Sequence, residues 1–306
     1  MTKVLIDCDP GIDDALALAL AAGASLDVRA ITTVAGNVGL NRTTANALAL
    51  RDFLDLPDVP VVAGSPGALV RGLIHAEHVH GSDGLGGAVL PPPTSTVTPG
   101  HATDHIITTL RDHPGEITLI ALGPLTNLAL ALRREPRIAD WAAGIVVMGG
   151  SYTRGNHNPA AEFNILTDPE AAAIVFGAGW TVTQIGLDVT LTARVTTAIY
   201  DRLQGLGRLS SLLLPSVTHY GLITPETGPA IHDAVAVASV IDPTLLTFTP
   251  AVVNVETAGV YTTGMTVIDF KVDDRRPNAM VATRLDVERF WDLLVSAYRE
   301  LGRRIG

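Results

Sequence analysis

The segment DCDPGIDDA, residues 7–15, brings four carboxylates, Asp7, Asp9, Asp13 and Asp14, into one short stretch. Gathered at a strand-to-helix turn they repel one another, and a helix N-terminus favours a nearby Asp by only about 0.3–1 kcal/mol. That is too little for four. A divalent cation is the physical remedy, and carboxylate oxygens without Cys or clustered His select a hard ion, Ca²⁺ or Mg²⁺, over zinc. Pro10-Gly11 turns the chain sharply and aims Asp9 and Asp14 at one point. The structural alternative makes Asp13 a helix cap, places Asp14 in the first turn and leaves the other carboxylates solvated.

Such residues need a scaffold, and the apolar pattern supplies one. Short continuous apolar runs, the mark of strands buried on both faces, are predicted at 4–6, 28–34, 59–63, 117–122, 145–148 and 181–187. Helical patterns at 13–22, 41–54, 102–113, 125–134 and 169–176 lie between them. Alternation of this kind implies an α/β fold with an open, mostly parallel sheet flanked by helices. Asp168-Pro169-Glu170 reads as a cap, an N1 proline and an acidic first turn. GSDGLGG and the following PPP make 81–100 a long, mobile loop. From 249 to 272 β-branched residues and turns predict a small antiparallel addition near the C-terminus, and an amphipathic helix at 287–301 closes the chain.

In open parallel sheets ligands bind outside the carboxyl ends of the strands. The polar residues found there are the acidic turn, Asn37, the Leu122-Gly123 turn, the stretch from Asn156 to Asn164, Asp188 and His232-Asp233. Most have short side chains suited to cations or hydroxyls, and none forms a phosphate cradle.

Composition narrows the function further. The 306 residues are 47 % hydrophobic and 17 % charged, enough apolar surface for one thick core, and we read 1–306 as a single domain. A net charge of −10 is the wrong sign for tracking a phosphate backbone, so polymeric nucleic acid is not an expected partner. The single cysteine, Cys8, excludes an internal disulfide and multi-cysteine metal sites. No secretory pattern opens the chain, and the apolar run 15–23 falls well short of the roughly 20 residues of a membrane span. A soluble, cytoplasmic protein with no membrane partner is expected.

The sequence resembles the inosine–uridine-preferring nucleoside hydrolases, which cleave the N-glycosidic bond of ribonucleosides. The resemblance begins with DCDPGIDDA and ITTVAGN (31–37) and continues through HVHGSDGLGG (78–87), ITLIALGPLTN (117–127), VVMGG (146–150), AEFNILTDPEAA (161–172), GLDVT (186–190) and IHDAVAVA (231–238). It implies a Ca²⁺ held by Asp9, Asp14, the backbone carbonyl of Leu122 and Asp233, with Asp9 also the general base toward the attacking water. It further implies Asp13, Asn37, His80, Met148, Asn156, Glu162 and Asn164 as substrate-binding residues, Asp7 as a support for the loop, and His232 as a substrate-binding residue and general acid near the leaving base. That last role suits a side chain titrating near neutrality. The implied substrate is a small ribonucleoside, in salvage or catabolism, and the implied assembly a homodimer or homotetramer.

Each assignment has a structural counterpart. Met148 reads as core, Asn156 as a turn, His80 as a loop histidine and His232 as a packed helix-start histidine. Glu162 and Asn164 flank Phe163 in alternation, which would turn both to one face and send Phe163 into the core. The stretch 212–228, which should cover the base, departs from the better-known members, with His219 and Tyr220 as candidates to reach the base. Leu191 stands where some members carry His, and base preference stays open. A phosphohydrolase using Asp7 and Asp9 would want a Thr where Gly11 stands and a Lys near the metal. A catalytically silent ribose- or nucleoside-binding protein of the same fold would have lost Asp9, Asp14 or Asp233, and all are present.

Overall fold

A computed structural model describes residues 1–225, 227–272 and 275–306; of the stretch 212–228, Glu226 lies outside the described residues. The strands are β1 (Lys3–Cys8), β2 (Asp27–Thr33), β3 (Val61–Ala63), β4 (Ile117–Ala121), β5 (Gly144–Met148), β6 (Val182–Ile185), β7 (Leu246–Val255), β8 (Thr266–Asp269) and β9 (Ala279–Leu285). They form one sheet in the order β3-β2-β1-β4-β5-β6-β9-β7-β8. From β3 to β9 every neighbouring pair is parallel, whereas β7 runs antiparallel to both β9 and β8. The antiparallel addition is therefore present, and β9 joins it to the parallel part.

β1 is central, flanked by β2 and β4, and buried from Val4 onward. That is why it reads as an unbroken apolar run ending in acid: its C-terminal end opens where two crossovers part. The helix after it, Ile12–Gly23, is buried along its whole length. It packs against the helices His232–Ile241 and Val287–Ile305, and Tyr298 Oη donates to the Leu16 carbonyl at 2.8 Å. Each fully buried Ile or Leu here contributes about 1.5–3 kcal/mol, which anchors a helix whose first turn is acidic. Gly23 lets two backbones meet, since a Cβ there would stand 2.3 Å from the Ala297 carbonyl oxygen.

Local signals hold where predicted. Asp168 accepts from the Ala171 N–H and caps Pro169–Phe176. Residues 81–101 contain no helix or strand, yet the first half of this loop is tied down. Asn46 donates to the Asp83 carbonyl, Ser216 donates to the Leu85 carbonyl, and Leu85 and Ala88 are buried. Among the described residues, the helices of seven or more residues outside the predicted helical patterns are Thr197–Leu203, Ser210–Ile223 and His232–Ile241. The second carries Pro215 inside it, and the third is apolar all round, so neither shows a helical stripe.

Candidate active site

The floor of the site is the end of β1. Asp9 follows it directly, and the Pro10-Gly11 turn brings Asp14 back beneath it. Asp14 Oδ2 accepts from the Gly11 N–H at 2.9 Å and from Asn37 Nδ2 at 3.1 Å, while its Oδ1 accepts from the Asp9 N–H at 3.2 Å. The helix thus starts at Ile12 with Gly11, not Asp13, as its N-cap; Asp14 takes the Gly11 amide and His80 takes that of Ile12. Asp9 Oδ2 accepts from the Asn37 N–H at 2.7 Å, and Asp9 Oδ1 is buried with no donor. Glycines make room for this side chain: a Cβ on Gly36 would lie 2.1 Å from Asp9 Oδ2, and one on Gly123 2.4 Å from Oδ1.

Asp233, in the first turn of the helix His232–Ile241, comes from the far end of the sequence to the same place. Oxygens of Asp13, Asp14 and Asp233 lie within 4.8 Å of one another. The sequence-based ligand set has Asp9 where this group has Asp13; Asp9 is turned to the Asn37 amide and stands outside the group. The Leu122 carbonyl, just past β4, accepts from Asn164 Nδ2 at 2.7 Å.

Burial, and then mutual repulsion, makes these carboxylates resist ionisation. Asp13 is pushed up to about 8, by desolvation first and by Asp14 next. Asp14 rises only to about 6 because its backbone and Asn37 hydrogen bonds oppose the desolvation. Asp9 and Asp233 are also raised, each by burial and by its acidic neighbours. The residues fit a hard dication: all donors are oxygens, they converge, and Asp9 Oδ1 has nothing else to satisfy it. Asp7 has a different task. It is buried below the turn, accepts from Thr32 Oγ1 and Asn127 Nδ2, and is pushed up to about 7 by desolvation.

Above this floor is a cavity of about 410 Å³. Asp13, Asn37, His80, Leu122, Met148, Asn156, Glu162, Asn164, His232 and Asp233 all line it, so the structure brings the expected substrate residues to one place. Asp9 and Asp14 lie beneath the lining. Glu162 accepts from the Asn164, Ile165 and Gly150 N–H groups and caps the short helix Phe163–Thr167. Phe163 consequently lies half-buried on the cavity wall instead of in the core: a helix start, not a strand, sets the directions of 162–164. Asn156 serves both readings, lining the cavity while its Oδ1 accepts from the Phe163 N–H at 2.9 Å.

Burial holds His80 and His232 neutral. His80 Nδ1 accepts from the Ile12 N–H at 3.0 Å, which puts its proton on Nε2, and burial lowers it to about 3. His232 bonds Thr190 Oγ1 through Nδ1 at 2.8 Å and lies 3.4 Å from Tyr220 Oη through Nε2. Burial, helped by the charge of Arg194, lowers His232 to about 4, so it does not titrate near neutrality as expected from sequence. Tyr220 and Leu191 line the cavity. His219 is instead packed over Gly86, where an added Cβ would come 3.1 Å from its own Cβ. Asp188 accepts from Ser151 Oγ, the Tyr152 N–H and Thr153 Oγ1, and holds the loop after β5.

The stretches 156–164 and 212–228 do reach the lining, through His157 and through Ile223, Thr224 and Thr227, whereas Arg154 and Arg194 on the same lining had no sequence expectation. No apolar pattern marks either arginine: Arg154 lies in irregular chain after β5, and Arg194 stands at an isolated bridge to Ala230.

Known proteins share this sequence pattern and this fold. A family model described as inosine-uridine preferring nucleoside hydrolase matches residues 4–292. The chain is 43 % identical to an inosine-uridine preferring nucleoside hydrolase of Leishmania major, over 98 % of each chain. It is 41 % identical to a pyrimidine-specific ribonucleoside hydrolase of Salmonella arizonae, over 98 % of this chain and 99 % of that one. Among solved structures, a purine-preferring ribonucleoside hydrolase from Gardnerella vaginalis superposes with a TM-score of 0.93 at 32 % identity, covering 99 % of this chain and 100 % of that one. The chain belongs to the inosine-uridine preferring nucleoside hydrolase family.

Proposed function

We propose that this enzyme hydrolyses the N-glycosidic bond of ribonucleosides to free base and ribose with Asp9 as general base and Ca²⁺ at the acidic floor. Family membership carries ribonucleoside hydrolysis itself. The residue roles and the ion are the finer reading. The observation that carries it is Asp9 Oδ1, a buried carboxylate oxygen without a donor beneath a cavity lined by hydroxyl-binding side chains.

Such an oxygen gains by accepting a proton, which is what a general base does as water attacks C1′. Positive charge then spreads over C1′ and the ring oxygen as the bond to the base breaks. Asp13, Glu162 and the Leu122 carbonyl line the cavity and stabilise that charge. Asp13, Asn37, Asn156, Glu162 and Asn164 hold ribose hydroxyls, with Met148 packed under the sugar and His80 and His232 nearer the base. Residues to hold Ca²⁺ are Asp9, Asp14, the Leu122 carbonyl and Asp233. With two ribose hydroxyls and a water they make about seven or eight oxygens, a calcium count more than a magnesium one. The chemistry such an ion supplies is acidification of water and a grip on vicinal hydroxyls. A neutral nucleoside needs no basic patch, which agrees with a net charge of −10.

The same reading makes the chain one domain, built on one sheet, working in the cytoplasm as a homodimer or homotetramer. Among the described residues no helix is long and apolar enough to cross a membrane. Light scattering tests the assembly. The function is tested by release of reducing sugar from inosine, uridine, cytidine and adenosine, before and after metal is stripped and Ca²⁺ restored. Turnover restored by Ca²⁺ supports the reading; binding without turnover replaces it with a silent nucleoside-binding protein, and activity indifferent to stripping removes the ion.

A further inference from the structure

Arg194 follows the short helix Leu187–Thr190 and lines the active-site cavity beside Leu191, Tyr220, Thr224 and His232. Its Nη1 donates to the carbonyl oxygens of Thr227 at 3.3 Å and Gly228 at 3.0 Å, and its backbone is bridged to Ala230. The guanidinium is therefore held in place by main-chain atoms. Among the described residues it makes no ion pair, and its Nε and Nη2 have no protein partner. A permanent cation with unused donors stands in a cavity whose other charged lining is Asp13, Glu162, Asp233 and Arg154, and of the two arginines Arg194 is the one grouped with Leu191, Tyr220 and His232.

The two signs suit the two halves of a breaking N-glycosidic bond. Carboxylates face the sugar, which becomes cationic; Leu191 and Tyr220 offer an apolar and an aromatic surface to a planar base, which becomes anionic. Resting on the hydrolase reading above, we propose that Arg194 is a specificity-determining residue that donates hydrogen bonds to a carbonyl oxygen of the leaving base and so selects oxo bases, uracil and hypoxanthine, over adenine. In the step it assists, the C1′–N bond breaks and its electron pair passes into the base ring and onto that carbonyl oxygen. The oxygen of water bonds C1′, Asp9 takes the proton, and the base anion is later protonated from solvent or through His232. Adenine has no carbonyl to receive the guanidinium and gains nothing from it.

The test is steady-state turnover of inosine, uridine, adenosine and p-nitrophenyl riboside by the wild-type, Arg194→Met and Arg194→Lys enzymes. Removal of a donor aimed at developing negative charge predicts a loss of about 100-fold in kcat on inosine and uridine. Adenosine and p-nitrophenyl riboside, whose leaving group is a stable anion, change by less than about threefold. Arg194→Lys, which keeps the charge, recovers part of the inosine-to-adenosine ratio and serves where Arg194→Met fails to fold. An equal loss on all four substrates, or no change in that ratio in either variant, overturns the role of Arg194 and leaves the hydrolase reading intact. A wild-type enzyme that cleaves none of the four overturns both.

Discussion

The main-chain N–H of Asn37 donates to Asp9 Oδ2 at 2.7 Å while its Nδ2 donates to Asp14 Oδ2 at 3.1 Å, so one residue from the loop after β2 orients two carboxylates of the loop after β1. Asn37→Ala keeps the first bond and loses the second. Loss of a partner that orients a metal ligand typically costs about 10–100-fold in metal affinity or activity. Calcium titrations followed by turnover should show that weakening with the far-UV spectrum unchanged. Asn37→Asp should be worse, because it adds a carboxylate to a cluster already resisting ionisation.

Asp9→Asn separates catalysis from stability. Its side-chain oxygen can still accept from Asn37, and its new N–H₂ group replaces an oxygen that has no donor. Turnover should fall by about 10²–10⁴, the range of a general base. The metal-free variant should nevertheless melt no lower than metal-free wild type, since it replaces an acid that burial and its acidic neighbours already hold back from ionising. Full activity, or a lower melting point in the stripped protein, would contradict the assignment.

Chelation makes the same point from the other side. A ligand at a hundred times its Kd stabilises the folded state by about 2.7 kcal/mol. For a chain of this size, stripping the ion should lower Tm by roughly 4 °C. Differential scanning with Ca²⁺, with Mg²⁺ and with chelator decides both dependence and identity: Ca²⁺ should restore the melting point at lower concentration than Mg²⁺.

What the sequence disclosed follows from how each residue is buried. β1, β4 and β5 are covered on both faces and so read as apolar runs, and the acidic turn is contiguous in the chain. The helix His232–Ile241 is equally buried but reads as Val-Ala alternation, and Pro215 hides the helix Ser210–Ile223. Phe163 was misplaced because alternation presumes a strand, whereas Glu162 caps a helix there. Arg194 was invisible because its place depends on a bridge to Ala230, a pairing no local pattern announces.

Gly23 tests the packing beneath the site. Alanine is favoured over glycine by about 1 kcal/mol inside a helix. At this position, however, a Cβ meets the Ala297 backbone carbonyl at 2.3 Å, and a backbone atom cannot swing aside. Overpacking of this kind costs about 1–3 kcal/mol or more. Gly23→Ala should therefore lower the urea midpoint, while KM for a nucleoside stays unchanged; a stabilised variant would show that the two helices separate more easily than their packing indicates.

His232 is the residue whose role the structure alters most. A histidine lowered to about 4 is a neutral donor at pH 7, with one proton shared between the Thr190 and Tyr220 hydroxyls. It can pass that proton to a leaving base, but no pool of imidazolium stands ready. His232→Ala should slow purine nucleosides, which depart more easily once protonated, by about 10²-fold or more. Aryl ribosides, whose leaving groups need no proton, should lose little. Tyr220→Phe should reproduce a smaller version of the same pattern, because Tyr220 Oη is the neighbour that orients Nε2. Equal losses on purine and aryl ribosides would make His232 a packing residue, held by Thr190 for the shape of the pocket and not for its proton.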